Sequence, residues 1–137
     1  MQKVESNFFV SGQILPEEVS DLKKQGFESI ICNRPNNEEN GQPAFEEIEK
    51  ICKKNDINFH FIPISLGEID PEKVFKLSSI IEDEKKILAY CRTGNRSITQ
   101  WAFANAKSLD IEEIISMCLD AGFDLNNLRD ILQAIKG

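Results

Sequence analysis

The sequence predicts a single α/β domain, residues 1–137, with a mostly parallel central sheet flanked by helices and a helical C-terminal tail. Three observations carry that prediction. Short runs rich in β-branched and aromatic residues alternate with helical stripes through the first hundred residues, the pattern of strands joined by crossover helices. The longest uninterrupted apolar run, Ile87 to Cys91, is the length of a strand buried on both faces in the middle of a sheet. The last thirty residues carry only helical periodicity. At 137 residues and 41% apolar content, the chain holds enough for one core and too little for a second domain.

Taken in order, Phe8-Phe9-Val10 reads as a short strand that closes in Ser11-Gly12-Gln13. Pro16, suited to a first helical position, opens a helix with Val19 and Leu22 on one face and Gly26 at its end. Glu28 to Cys32 is a second, buried strand that runs into the turn-forming stretch Asn33 to Gly41. Phe45, Ile48, Ile51 and Cys52 have helical spacing and make Pro43 to about Lys54 a helix. A third strand spans Ile57 to Ile62. After the loop of Ser65, Gly67 and Glu68, Asp70-Pro71 reads as N-cap and first helical residue of a helix striped by Val74, Leu77, Ile80 and Ile81. Lys86 to Tyr90 is the central strand. Helical pattern resumes at Ser97, with Ile98, Trp101, Ala102 and Asn105 along one face and the Trp101-Ala102-Phe103 run as core packing. Asp110 with Glu113 has the form of a capping box ahead of Ile111, Ile114, Ile115 and Cys118, and Asp124 is expected to cap a last stripe of Leu125, Leu128, Ile131, Leu132 and Ile135.

Composition narrows the function classes. Sixteen Lys and Arg against 23 Asp and Glu leave a formal charge of −7, a field that repels polyanions and argues against nucleic-acid binding. The five-residue run falls far short of the roughly 20 apolar residues that cross a bilayer, and the first six residues have neither a basic start nor a cleavage pattern, so no membrane partner is expected and a cytoplasmic location is. Cys32, Cys52, Cys91 and Cys118 lie far apart without a C-x-x-C pair and read as reduced thiols. With His60 the only histidine, and set between Phe59 and Phe61 as one face of a strand, neither a metal site nor another cofactor is expected.

One segment concentrates chemistry. In Cys91-Arg92-Thr93-Gly94-Asn95-Arg96-Ser97 a buried strand delivers a thiol to its carboxyl end, a loop containing glycine follows, and a helix begins. Backbone N–H groups from Arg92 through Ser97 can curl around one tetrahedral oxyanion, with Thr93 and Asn95 contributing amides and Gly94 the backbone freedom the curl needs. Arg96 supplies a planar fork for two oxygens. The same field favours a thiolate, since helix N-termini and nearby cations commonly bring a thiol pKa into the range of about 3.5 to 7.5. Ser97 either caps the helix or donates its hydroxyl to the sulfur. Arg92 is expected at the rim. Arg34, just past a strand's carboxyl end, either adds a second cation for the substrate or faces solvent ahead of Pro35. Cys32 either packs as a buried thiol or can trap an oxidised Cys91.

With its Cys-to-Arg loop between a strand and a helix, the chain resembles the cysteine-dependent phosphatases of dual-specificity type and the rhodanese sulfurtransferases. Ser11-Gly12-Gln13, Asn33-Arg34-Pro35, Glu38-Glu39, Gln42-Pro43 and Cys91 to Ser97 make it similar, more narrowly, to the bacterial beta-lactamase-hydrolase-like, phosphatase-like domain family over about residues 8 to 107. Phosphatases place five residues between the Cys and the Arg. Here there are four, the length in single-domain rhodaneses with a C-R-x-G-x-R-S loop. The resemblance implies a dual-specificity phosphatase-like fold and a hydrolase acting on a phosphomonoester, a phosphoprotein included, through a phosphocysteine at Cys91. A persulfide-carrying sulfurtransferase and a non-catalytic oxyanion-binding module are the alternatives. It also implies an acid on the loop after the third strand, where Glu68 and Asp70 stand; Asp70, directly before Pro71, reads as an N-cap before it reads as an acid, and Glu68 reads alternatively as a solvated charge.

Overall fold

A computed structural model describes all residues 1–137. Its five strands are β1 (Gln2–Glu5), β2 (Phe8–Ser11), β3 (Ser29–Cys32), β4 (Asn58–Phe61) and β5 (Ile87–Tyr90), in the order β1-β2-β5-β3-β4. β1 runs antiparallel to β2, and β2, β5, β3 and β4 are mutually parallel. The helices are α1 (Val19–Lys24), α2 (Phe45–Lys54), α3 (Pro71–Asp83), α4 (Asn95–Asn105), α5 (Ile111–Asp120) and α6 (Arg129–Lys136). No helix is long and apolar enough to cross a membrane.

Strand periodicity sorts the core into two layers. Phe8, Val10, Ile31, Ile87 and Ala89 face the layer that contains α3, α4, α5 and α6. Ile30, Cys32, Leu88 and Tyr90 face the opposite layer, with Val19 and Leu22 of α1 and Ile48 and Cys52 of α2. β5 is buried along its whole length, as its apolar sequence predicts, and its pairing with both β2 and β3 makes it the centre of the sheet. Tyr90 packs at 1% exposure among the second layer, so Cys91, the next residue, leaves the strand toward α4.

Several boundaries differ from expectation for local reasons. β1 carries no alternating signal: of Gln2-Lys3-Val4-Glu5 only Val4 is buried, and an edge strand paired on one side needs no more. The turn Pro16–Glu18 is a 3-10 helix that passes into α1. α4 begins at Asn95, two residues before Ser97, because Gly94, with φ of 97°, already serves as its N-cap. Asp110 is the N-cap of α5, but its side chain accepts no hydrogen bond there, so the capping box does not form. Asp124 instead accepts from the backbone and side-chain nitrogens of Asn126, which holds the 3-10 turn Asn126–Leu128 that precedes α6.

Asp70 is the N-cap of α3, its Oδ1 accepting from the Glu72 N–H at 3.0 Å, with Pro71 behind it in the first helical position. Replacing Asp70 with Ala should lower stability by about 1 kcal/mol. Urea denaturation followed by the fluorescence of Trp101, the single and wholly buried tryptophan, measures it; an unchanged midpoint would show that the cap contributes nothing.

Candidate active site

The carboxyl ends of β2, β5, β3 and β4 converge on one edge of the sheet, where open parallel sheets hold their sites. Cys91 is 1% exposed, and its backbone N–H donates to the Ser11 carbonyl at 3.2 Å, which ties the start of the loop to the end of β2. Gly12 makes that approach possible: a Cβ there would stand 2.8 Å from the Arg92 carbonyl oxygen. Gly94 is constrained twice, by its left-handed φ and by Phe123, whose ring would lie 3.0 Å from an added Cβ.

Within the loop the Gly94 N–H donates to Cys91 Sγ at 3.1 Å, and the Asn95 N–H donates to Thr93 Oγ1 at 3.3 Å. These two amides therefore serve the sulfur and the turn. The amides of Arg92, Thr93, Arg96 and Ser97 have no acceptor within the protein. Ser97 neither caps α4 nor bonds the sulfur. Its hydroxyl donates to Asn33 Oδ1 at 2.9 Å, while Asn33 Nδ2 donates to the Ile62 carbonyl at 2.9 Å and the Asn33 N–H to the Tyr90 carbonyl at 2.8 Å. Asn33 thus pins β3, β4, β5 and the start of α4 together, a role its turn-former identity did not suggest.

Arg96, 7% exposed, is gripped end-on. Its Nη1 donates to Glu38 Oε2 and to the Ile64 carbonyl, and its Nη2 to Glu38 Oε1, each at 2.8 Å. Nε and the second N–H of Nη2, which form the side-on fork of the guanidinium, have no carboxylate partner. Glu38 first, and then the neighbouring Cys91, hold the Arg96 pKa above its ordinary value. Glu38 was absent from the residues assigned a role from sequence. Its only signal was membership of an acidic pair.

Arg34 neither faces solvent nor points a free guanidinium at the site. At 1% exposure it donates from Nε to Glu38 Oε1 at 2.8 Å, from Nη2 to Glu39 Oε1 at 2.6 Å and from Nη1 to Gln13 Oε1 at 2.9 Å. Glu39 also meets Arg92, whose side chain is exposed, at 3.3 Å. The Arg96 hydrogen bonds, followed by those of Arg34, bring the Glu38 pKa down to about 2. Glu39 is lowered too, by Arg34 and then Arg92.

The two acids on the loop after β4 part company. Glu68 lines a cavity together with Arg96, and its carboxylate accepts from Lys73 Nζ at 2.8 Å and from the Ser65 N–H at 2.9 Å, contacts that lower its pKa. Asp70 lines a separate cleft with Lys73 and Lys76 and is engaged as a cap. His60 lies on the edge strand β4, 3.8 Å from Glu84, and burial pushes its pKa down. Cys32 donates to the Arg34 carbonyl at 3.2 Å and packs among the α1–α2 layer. No group of three or more His, Cys, Asp or Glu side chains is arranged to hold a metal ion.

Comparison with known proteins gives the family and the fold. The family model described as "Beta-lactamase hydrolase-like protein, phosphatase-like domain" matches residues 1–108. A beta-lactamase hydrolase-like protein of Agrobacterium fabrum is 28% identical over 126 residues, which are 90% of this chain and 29% of that protein; the chain spans under a third of the curated relatives it matches. Among solved structures, a candidate phosphatase of Neisseria meningitidis superposes with a TM-score of 0.86 at 31% identity, over 98% of this chain and 96% of that one. The core catalytic domain of a PP-IP phosphatase from S. cerevisiae superposes at 0.69 with 18% identity, over 98% and 82%, a likeness of fold alone.

The depressed Glu38 pKa sets an acid-side dependence. Its ordinary value of 4.5 falls to about 2 in the fold, so the Glu38–arginine contacts contribute fully above pH 4.5 and are lost as pH drops through about 2. Glu38→Gln should therefore weaken the protein near neutrality and flatten the loss of stability between about pH 5 and about pH 2. Urea midpoints across that window test this; parallel curves for the two proteins would refute it.

Proposed function

Because the chain belongs to the family of beta-lactamase hydrolase-like, phosphatase-like domains, with a dual-specificity phosphatase-like fold, we propose that it is a cysteine-dependent phosphatase that works through Cys91. One juxtaposition carries the reading: Cys91 Sγ takes the Gly94 N–H at 3.1 Å while Arg96, immobilised from behind by Glu38, stands beside the same sulfur. A phosphomonoester, free or on a protein, seats its phosphoryl oxygens on the loop amides of Arg92, Thr93, Arg96 and Ser97 and on the side-on fork of Arg96. The sulfur attacks phosphorus in line; the S–P bond forms as the P–O bond to the alcohol breaks, and the departing oxygen takes a proton. Water then cleaves the phosphocysteine, which releases inorganic phosphate and returns the thiol.

Of the two acids, Glu68 shares a cavity with Arg96 while Asp70 is spent on α3, and Glu68 supplies that proton once a bound substrate displaces Lys73 and the Ser65 N–H, which otherwise hold its carboxyl ionised. Glu38, charged down to about pH 2, orients Arg96 and is unsuited to donate. All four cysteines are free and buried, which suits a reducing compartment such as the cytoplasm.

A second reading has its own observation. Only four residues separate Cys91 from Arg96, and the Glu38 carboxylate removes charge from the cation, conditions that favour a single bound sulfur over a dianion. In that reaction Cys91 would take the outer sulfur of thiosulfate as a persulfide, release sulfite, and pass the sulfur to a thiophilic acceptor.

Hydrolysis of 4-nitrophenyl phosphate should vanish in Cys91→Ser and fall roughly 100-fold or more in Arg96→Lys, which keeps the charge and loses the fork. A cyanide-sensitive mass gain of one sulfur on incubation with thiosulfate, lost in Cys91→Ser and unaccompanied by phosphate release, selects the sulfurtransferase instead. Glu68→Gln should slow alkyl phosphates by about 100-fold and aryl phosphates with good leaving groups far less, since only the former need a proton in the transition state. Equal losses on both substrates would remove Glu68 from the reaction.

A further inference from the structure

Six large apolar side chains are exposed, and three of them, Leu66 at 87%, Ile69 at 48% and Phe75 at 73%, fall in one short stretch of sequence. They also follow one another in space. Leu66, at the tip of a turn that the Glu68 N–H closes on the Ser65 carbonyl at 3.0 Å, borders the cleft of about 390 Å³ at the anion loop together with Arg92 and Arg96. Leu66 and Ile69 wall the adjoining cavity of about 240 Å³. Ile69 and Phe103 continue from that cavity into a groove of about 420 Å³ between α3 and the ends of α4 and α6, lined further by Val74, Phe75 and Ile135. An apolar track thus leads from the anion loop onto α3. Exposed apolar residues scattered singly need no explanation, whereas a contiguous run of them marks a surface that a partner covers.

The groove also has a sign. Lys107 is the one charged residue on its wall, and it forms no ion pair with any carboxylate of the chain. Ser78, the other polar residue there, spends its hydroxyl on the Val74 carbonyl at 3.1 Å. Apolar side chains together with one carboxylate complement such a wall. In a chain with a formal charge of −7, an unpaired cation beside an apolar groove is a local reversal of the average field. Size decides the kind of partner. A small phosphate ester fills the cleft or the cavity next to it and leaves Phe75 in water. A polypeptide reaches all three spaces, and the rise of α3 from Pro71 to Ser78, roughly 10 Å, is the span of about three extended residues.

We propose that this groove docks the polypeptide of a phosphoprotein substrate. With the phosphorylated side chain on the anion loop, the adjoining segment passes Leu66 and Ile69, lays apolar side chains against Val74, Phe75 and Ile135, and sets a carboxylate on Lys107. The proposal rests on the phosphatase reading and adds the substrate class, a protein with an apolar and acidic stretch beside its phosphorylated residue. Phe75 and Lys107 act on binding and leave the chemistry at Cys91 alone.

Two sets of measurements test it. Phosphopeptides are made in which one phosphotyrosine is joined, in either chain direction and through a three- or six-residue Gly-Ser linker, to the segment Leu-Ser-Leu-Leu-Ser-Glu or to an all-serine control. In at least one arrangement the apolar segment should raise kcat/KM by roughly tenfold over its control, through KM. Phe75→Ser and Lys107→Glu, both at exposed positions, should each erase most of that lead and leave hydrolysis of 4-nitrophenyl phosphate at the wild-type level, since neither residue borders the anion cleft. In the second set, the unphosphorylated segment is titrated into the protein and followed by amide NMR, with saturable shifts expected at Phe75, Ser78 and Lys107 and lost in Phe75→Ser. Equal kcat/KM for segment and control in every arrangement, or a lead that survives both substitutions, overturns the docking site and leaves the phosphatase reading standing. Saturable shifts at the groove with no turnover of any phosphate ester do the reverse: the docking surface stands and the phosphatase reading falls. A wild-type dimer in sedimentation that Phe75→Ser dissolves assigns the groove to a second copy of the chain and overturns the proposal as well.

Discussion

A guanidinium buried at 1% exposure has to be matched by negative charge, and the pairing of Arg34 with Glu38 and Glu39 is the constraint from which the rest of the site follows. The loop after β3 folds back until its two carboxylates reach Arg34, with Gln42 bonding the Glu38 N–H and the Pro35 carbonyl to close the turn. Each carboxylate then has a free side for a second arginine. Glu38 takes Arg96 and Glu39 takes Arg92. Three guanidinium groups against two carboxylates leave one net positive charge, set at a loop whose unpaired amides supply further positive potential. A chain with a formal charge of −7 thereby carries a local surplus of positive charge at this loop, set against a long-range field of the opposite sign.

The sheet makes this clustering possible. Parallel strands bring all their carboxyl ends to one edge, so Ser11-Gly12, Asn33-Arg34, Pro63-Ile64 and Cys91, distant in sequence, become neighbours. Their backbones then contribute directly: the Ser11 carbonyl accepts from Cys91, the Ile64 carbonyl from Arg96, and Asn33 bridges three strand ends. Such contacts come from the chain path as much as from side-chain identity. They explain why glycine stands at 12 and at 94, where a Cβ would press on the Arg92 carbonyl or the Phe123 ring.

The helical tail does more than cover a sheet face. Leu125 and Leu128 pack on the layer that holds α4 and at the same time wall the cavity lined by Gln100, and Phe123 abuts Gly94. The family match ends at residue 108, so Leu125 and Leu128 lie beyond it, while the facing wall from Ile64 to Ile69 and from Asn95 to Phe103 lies within it.

Local pattern was enough for much of this. The buried run Ile87 to Tyr90 marked the central strand, Asp70-Pro71 the start of α3, and Cys91 to Ser97 the loop between that strand and a helix, because each depends on neighbours within one turn or one strand. β1 was not legible, since a polar edge strand with one buried residue has no periodic signal until β2 lies beside it. The roles of Arg34, Glu38, Asn33 and Ser97 were not legible either. Whether an arginine meets water, substrate or a carboxylate depends on what the fold brings to within 3 Å of it, and Glu38 lies 58 residues from Arg96. The residues and the local turns belong to the sequence; which charges neutralise one another and which remain for a ligand was decided by tertiary contact, because electrostatic pairing is set by distance in space and carries no imprint on spacing along the chain.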